Sequence, residues 1–328
     1  MRFLADTVYH SCLIVLWLLA LAAGTASAET IPLKNHSPVW FGLLFPEPDS
    51  ASTVEAGKLD TGIELDYSNI FFLNSNSSWI TKFDMELTQL TLDARFGTRF
   101  SGVEAGLRQP FYYAGGGFMD SYILDFHEAA GFSDYPSQRA APRNRYLYFI
   151  DHNGLLWNAP APYRITPGDT SIWVKKEFFK TDFLLSSLKL IAQPPIASTS
   201  TGFGNGAWET SLVILADIAG DIIDTTINAG MVDPGFIDRG EKQNLNRFMF
   251  AHAAFSYRYS NRLSLIVQGS VAASPYGDPL PERFQRTWRE ITFGLTYITR
   301  SKRKISLAFL EDLSKTAPDI TLHLSSGI

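Results

Sequence analysis

The sequence predicts an all-β chain, an antiparallel up-and-down transmembrane β-barrel of about 12 strands. Three observations predict it. From Lys58 onward, apolar and polar residues alternate with a period of two. Several alternating segments reach about ten residues, longer than soluble strands and suited to a tilted strand crossing a bilayer. The connections between segments are short and long by turns, as in barrels with tight periplasmic turns and long outer loops.

The composition agrees. The 328 residues include 33 acids and 28 bases, for a net charge of −5, and 45% are hydrophobic. That is too apolar for a disordered chain and too acidic for a general nucleic-acid binder, so no nucleic-acid partner is expected.

The elements follow in chain order. Arg2, the apolar stretch Leu13 to Ala23, and Gly24 with Ala26-Ser27-Ala28 read as a secretory signal peptide over 1–28, cleaved after Ala28. The stretch is too short to span a bilayer as a helix, which takes roughly 20 apolar residues. The single cysteine, Cys12, lies in this leader, so the mature chain has no thiol, disulfide or thiolate ligand. Residues 29–57, with Pro32, Pro38, Pro46 and Pro48, read as an irregular periplasmic N-terminal lead or an inner lining. The barrel takes 58–328.

Strands are expected near 58–69, 79–96, 100–113, 170–179, 182–193, 207–218, 221–232, 246–259, 262–274, 285–300, 303–313 and 318–328. Leu59, Ile63 and Leu65 oppose Asp60, Glu64 and Asp66. Met249, Phe255 and Tyr257 oppose His252 and Ser256, and Leu322 and Leu324 oppose Thr321, His323 and Ser325. In the second strand the apolar phase moves from Phe83/Met85/Leu87 to Leu90/Leu92/Ala94, which predicts a bulge near Thr88. The even strand number puts both termini in the periplasm. Aromatics gather at both expected rims. Phe96, Phe100, Phe178, Phe179, Phe183, Tyr257, Tyr259 and Tyr297 lie near tight turns, and Phe71, Phe72, Trp79, Trp208, Tyr276 and Trp288 near long loops.

With strands and leader placed, several phrases are recognisable: Pro32-Leu33-Lys34-Asn35-His36-Ser37-Pro38, Asp66-Tyr67-Ser68-Asn69, Gly115-Gly116-Gly117-Phe118-Met119-Asp120 with Phe126-His127, and Glu311-Asp312. Together they resemble an uncharacterised bacterial family of outer-membrane barrels, domain of unknown function 3187. The resemblance implies a Gram-negative outer-membrane setting. It implies no reaction, substrate or catalytic residue. The C-terminal residue, Ile328, departs from the aromatic that commonly closes barrel-assembly signals.

The lumen candidates are mostly acidic: Asp60, Glu64, Asp66, Asp84, Glu86, Asp93, Glu104 and Glu290, against Arg95, Arg108 and Arg258. Such a ring either selects solutes by charge or fills a narrow barrel with ion pairs. The longest connection, 114–168, opens with glycines, continues as a short amphipathic helix over Phe118 to Ala130, and then forms a hairpin around His152-Asn153-Gly154. It is expected to fold into the mouth as a constriction, with Asp120 and His127 among its polar groups. Asp120, His127 and Glu128 are poorly spaced to share a metal, and no metal or cofactor is expected. A lipid hydrolase is the competing class. His323 and Ser325 share one strand face, but that face turns inward at the periplasmic end. The expected role is thus a narrow channel or small-solute uptake barrel, with a structural barrel as the alternative. Its expected partners are outer-membrane lipid, the secretion and barrel-insertion machineries, and a small solute.

Overall fold

The computed structural model describes residues 28–75, 79–130, 141–152, 155–156, 159–277, 282, 284–314, 318 and 320–327. The signal peptide lies outside the described residues, apart from Ala28. In chain order, the first elements are β1 (Leu59–Ser75), β2 (Trp79–Gly97), β3 (Val103–Gly115), α1 (Asp120–Ala130), β4 (Leu147–His152), β5 (Leu155–Leu156) and β6 (Ile165–Pro167). Next come β7 (Ser171–Lys180), β8 (Leu184–Gln193), β9 (Glu209–Ile218), β10 (Ile223–Asp233), β11 (Phe236–Asp238) and β12 (Lys242–Asn244). The chain ends with β13 (Phe248–Ser260), β14 (Leu263–Ala272), β15 (Trp288–Ile298), β16 (Lys304–Asp312) and β17 (Ile320–Gly327).

Twelve of these strands close an antiparallel barrel in the order β1-β2-β3-β7-β8-β9-β10-β13-β14-β15-β16-β17. Closure comes from β1 pairing with β17, Leu65 opposite Leu324 and Asp66 opposite His323. A closed wall leaves no unpaired sheet edge, the condition for crossing lipid with strands. All twelve expected strands are present. The short strands β4, β5, β6, β11 and β12 belong to the long connections, and β4 and β5 pair as the expected hairpin.

The alternation in sequence is the two faces of this wall. Ile63, Leu65, Val174, Leu190, Ile214, Phe255 and Leu322 are exposed on the outside, while Glu64, Asp66, Lys175, Lys189, Ser256 and Thr321 are buried inside. At the tight-turn end, Phe96, Phe100, Phe178, Phe179, Phe183, Tyr257, Tyr259 and Tyr297 are exposed as one aromatic girdle. The other expected girdle is only partly there. Trp208 is exposed, but Trp79, Tyr276 and Trp288 are buried within the molecule.

The second strand corrects a further expectation. Register between β1 and β2 runs unbroken from Leu59/Phe96 to Ser75/Ile80, so there is no bulge near Thr88. The register shifts fall instead at Glu177/Phe179 and Arg258/Ser260. The apolar phase of β2 changes because the surroundings change. Leu90 and Leu92 face outward, whereas Phe83, Met85 and Leu87 face inward into an apolar core that fills the long-loop half of the barrel.

Candidate functional site: a strapped lumen

That core is organised around the N-terminal segment. Residues 28–57 thread the inside of the cylinder as a hairpin-shaped strap. On the rising arm, the Ile31 N–H donates to Gln268 Oε1 at 3.3 Å and Gln268 Nε2 donates to the Ile31 carbonyl at 3.1 Å. His36 Nδ1 and Ser68 Oγ share a hydrogen bond of 2.8 Å. The chain then turns, with the Trp40 and Phe41 N–H groups donating to the Ser37 carbonyl. Trp40 meets Phe248, Tyr276 and Trp288 edge-on, with ring centroids 5.4, 6.4 and 6.0 Å away. Trp288 and Tyr276, expected at the outer rim, are drawn inward by this apex.

The falling arm is polar. Prolines 46 and 48 keep it extended and remove two N–H donors. In extended chain, residues two apart point the same way, so Glu47 and Asp49 face one sector of wall. Arg108 Nη1 binds Glu47 Oε2 at 2.5 Å, and Arg108 also binds Glu64. Asp49 takes Arg95 at 2.9 Å, Lys175 at 3.2 Å and Lys189 at 2.8 Å. Its backbone is held from β10, where the Asp49 N–H donates to Asn228 Oδ1 at 2.8 Å and Asn228 Nδ2 donates to the Asp49 carbonyl at 2.9 Å. One strap residue thus contacts four wall strands. Below it, the Ala51 N–H donates to Asp217 Oδ2 at 2.9 Å and the Thr53 N–H to Glu177 Oε1 at 2.9 Å, before the strap enters β1.

Charge follows this seating. Burial alone would raise the Asp49 carboxyl; Lys175, Lys189 and Arg95 outweigh it and hold the group well below the ordinary carboxylate range. On the rising arm, burial lowers the His36 imidazole to about 4, with Asp66 opposing and Lys34 and His323 reinforcing. Among the described residues, two cavities beside the strap stand out. One of ≈ 180 Å³ lies at the tight-turn end among Asp60, Glu64, Asp93, Arg95 and Lys304, with room for about six waters. A smaller one, ≈ 50 Å³, lies among Glu47, Arg108, Tyr112, Trp173 and Lys189.

The structure places Asp60, Glu64, Asp66, Asp93, Arg95, Glu104, Arg108, Arg258 and Glu290 on the inner face, the first seven around the strap. Arg258 sits at the tight-turn rim on Asp224, 3.0 Å away. Glu290 lies in the long-loop half, in register with Ser270 and Asp312. Asp84 and Glu86 correct the expectation, because register with Phe71 and Asn69 turns them outward. They stay buried under the long connection: Glu86 accepts from the Tyr67 hydroxyl and the Met119 N–H at 2.5 Å, and Asp84 binds Arg145 at 2.6 Å. Asp120 is on the same outer surface, accepting from Asn69 Nδ2 at 2.8 Å. Met119 and Ile123 pack on Tyr67, Phe309 and Ile320, which are outward-facing residues. Helix α1 therefore lies against the outside of the wall rather than in the mouth. The His127 side chain lies outside what the structure describes.

Sequence reading missed Glu47 and Asp49, and with them Lys175 and Lys189. Some signal was present. Lys175 and Lys189 alternate with outward Val174, Leu188 and Leu190, so both belong to inward faces. His323, the hydrolase candidate, also faces inward. Its Nδ1 lies 2.5 Å from Asp66 Oδ1, and the ring is buried away from lipid.

Comparison with known proteins agrees with this architecture. Residues 8–327 match the family model "Protein of unknown function (DUF3187)". The chain belongs to DUF3187. Among solved structures, this DUF3187 barrel is similar to the COG4313 outer membrane channel from Pseudomonas putida F1. The TM-score is 0.57 at 10% identity, covering 86% of this chain and 99% of that one. It is also similar to the translocator domain of the autotransporter NalP from Neisseria meningitidis, with TM-score 0.46 at 10% identity, covering 83% and 88%. No curated protein sequence matches the DUF3187 chain. At these identities, the likeness to the channel establishes the outer-membrane barrel fold.

Proposed function

We propose that this DUF3187 protein is a narrow channel of the bacterial outer membrane, with both termini periplasmic. It admits a small solute past a constriction formed by its own residues 28–57. The observation that carries the reading is the division of the strap into two halves. Burial of Trp40, Phe41, Leu43, Leu44 and Phe45 fixes the apex, at about 2 kcal/mol per side chain or roughly 10 kcal/mol together. The falling arm is held by ion pairs and hydrogen bonds that water or a polar solute can replace. A strap anchored at its apex and exchangeable below can swing aside without leaving the barrel. The shared fold with a solved outer-membrane channel supports the same reading.

The test is single-channel conductance of the purified protein beside the Glu47→Ala/Asp49→Ala double variant. We expect rare, small openings in the parent and larger, longer ones in the variant. Absence of current in both would leave a barrel that only fills the membrane.

A further inference from the structure

The wall behind the falling arm is unusual taken by itself. Lys175 and Lys189 are direct register partners on neighbouring strands, and both face inward. Like charges set opposite each other destabilise a sheet unless something between them compensates. Arg95 and Arg108 stand beside them on β2 and β3. The wall's own carboxylates satisfy part of this set: Asp93 lies 2.8 Å from Arg95, Glu64 contacts Arg108, and Glu104 is 3.4 Å from Lys175. Among the described residues, Lys189 has one carboxylate partner, Asp49, and that belongs to the strap. The wall gives the Lys189 ammonium the face of Trp173, 4.5 Å away, and, among the described residues, no carboxylate.

We propose that Lys175, Lys189, Arg95 and Arg108 form an anion-binding site of the channel wall that accepts a linear dicarboxylate, and that Glu47 and Asp49 occupy it as an internal surrogate when the channel is closed. Two carboxylates at i and i+2 of an extended chain are separated by about 7 Å of backbone. A straight dicarboxylic acid offers the same pair without the strap. One end takes the seat of Asp49 between Lys189, Lys175 and Arg95, and the other takes that of Glu47 on Arg108. The narrow space already present among Glu47, Arg108, Trp173 and Lys189 marks where such a molecule first reaches the wall. Binding and strap release are then linked, since both compete for the same cations. This site rests on the channel reading for its role and names the class of solute it serves.

The experiment is hydrogen exchange of the full-length purified protein, following the amides of residues 47–51, where Asp49 and Ala51 donate to wall side chains. The probe is adipate, with butyrate, cadaverine and sodium chloride at equal ionic strength as references. Adipate should speed exchange of this stretch at least ~10-fold over the references and leave the β13–β14 amides unchanged. In Lys189→Gln the stretch should exchange faster from the outset and no longer respond to adipate. An adipate effect no larger than that of sodium chloride, or one that persists in Lys189→Gln, overturns the site. Conductance separates the two readings. A conducting protein blind to adipate loses the site alone, and a silent protein that responds to adipate loses the channel alone.

Discussion

Lys175 and Lys189, register partners on adjacent strands, converge on a single oxygen, Asp49 Oδ2, at 3.2 and 2.8 Å. The relationship couples wall to strap in both directions. Without the strap the two ammonium groups repel across the ladder, and without the lysines the Asp49 carboxylate is buried with only Arg95 to compensate it. The inner segment is therefore a structural member of the barrel as well as its obstruction.

Asp49→Asn removes the shared charge and leaves both lysines buried with weakened compensation. Breaking a buried ion pair from one side costs about 3–5 kcal/mol, so the temperature at which the folded barrel loses its compact gel mobility should fall. Adding Lys189→Met to the same chain takes away the stranded charge and should restore part of that loss. Equal stability of parent and Asp49→Asn would show that the pairs do not hold the strap.

The two arms should respond to acid in opposite order. The seated His36 imidazole titrates near 4 and a released one near its ordinary 6.5. The released arm therefore takes up a proton first, and the rising arm loses stability as pH falls through that window, by about 3 kcal/mol when complete. For Asp49 the seated carboxyl is held low, so its contribution is whole above the free-carboxylate value of about 3.9 and drains only below it. Hydrogen exchange at pH 5 should show residues 31–37 loosened against pH 7.5, with 44–51 unchanged. The reverse order would contradict the assignment of the two seats.

Trp40→Ala should test the apex. The side chain is almost wholly buried among Phe45, Phe248, Tyr276 and Trp288, and emptying such a site costs about 3–5 kcal/mol. If the apex is the anchor, this variant should lower thermal stability and also lengthen channel openings, because the falling arm loses its fixed end. A stability loss with unchanged openings would confine Trp40 to packing.

Much of this barrel was legible because a strand writes its two faces directly into the sequence. Asp60, Glu64, Asp66, Asp93 and Glu104 sit where a period of two puts them. Most of what failed did so for one physical reason, the strap. Residues 28–57 have no period, and their partners are remote, as with Asp49 and Asn228, 179 residues apart. Since the strap fills the lumen, Phe83, Met85 and Leu87 can be apolar and inward, which from sequence looks like a slip in β2. Trp79, Tyr276 and Trp288 turn inward for the same reason. Of the two readings of 29–57, periplasmic lead or inner lining, Trp40-Phe41 with Leu43-Leu44-Phe45 favours the lining, a cluster too apolar for a lead lying in water. Asp84 and Glu86 failed differently. They are outward acids that the long connection shields, and nothing local to β2 reports that cover.

That cover yields the last prediction. Glu86 accepts from both the Met119 N–H and the Tyr67 hydroxyl, while Ile123 is buried against the outer wall. Ile123→Asp puts an unpaired charge into this contact, and Glu86→Ala strands a buried N–H at about 1–3 kcal/mol. Either change should lift α1 from the wall and open residues 116–130 to protease added outside intact cells. Conductance should be the same as in the parent, because the helix lies across the wall from the lumen. If detaching α1 opens the channel, the constriction is shared between the strap and the long connection. Protection unchanged in both variants would mean that other contacts hold the helix in place.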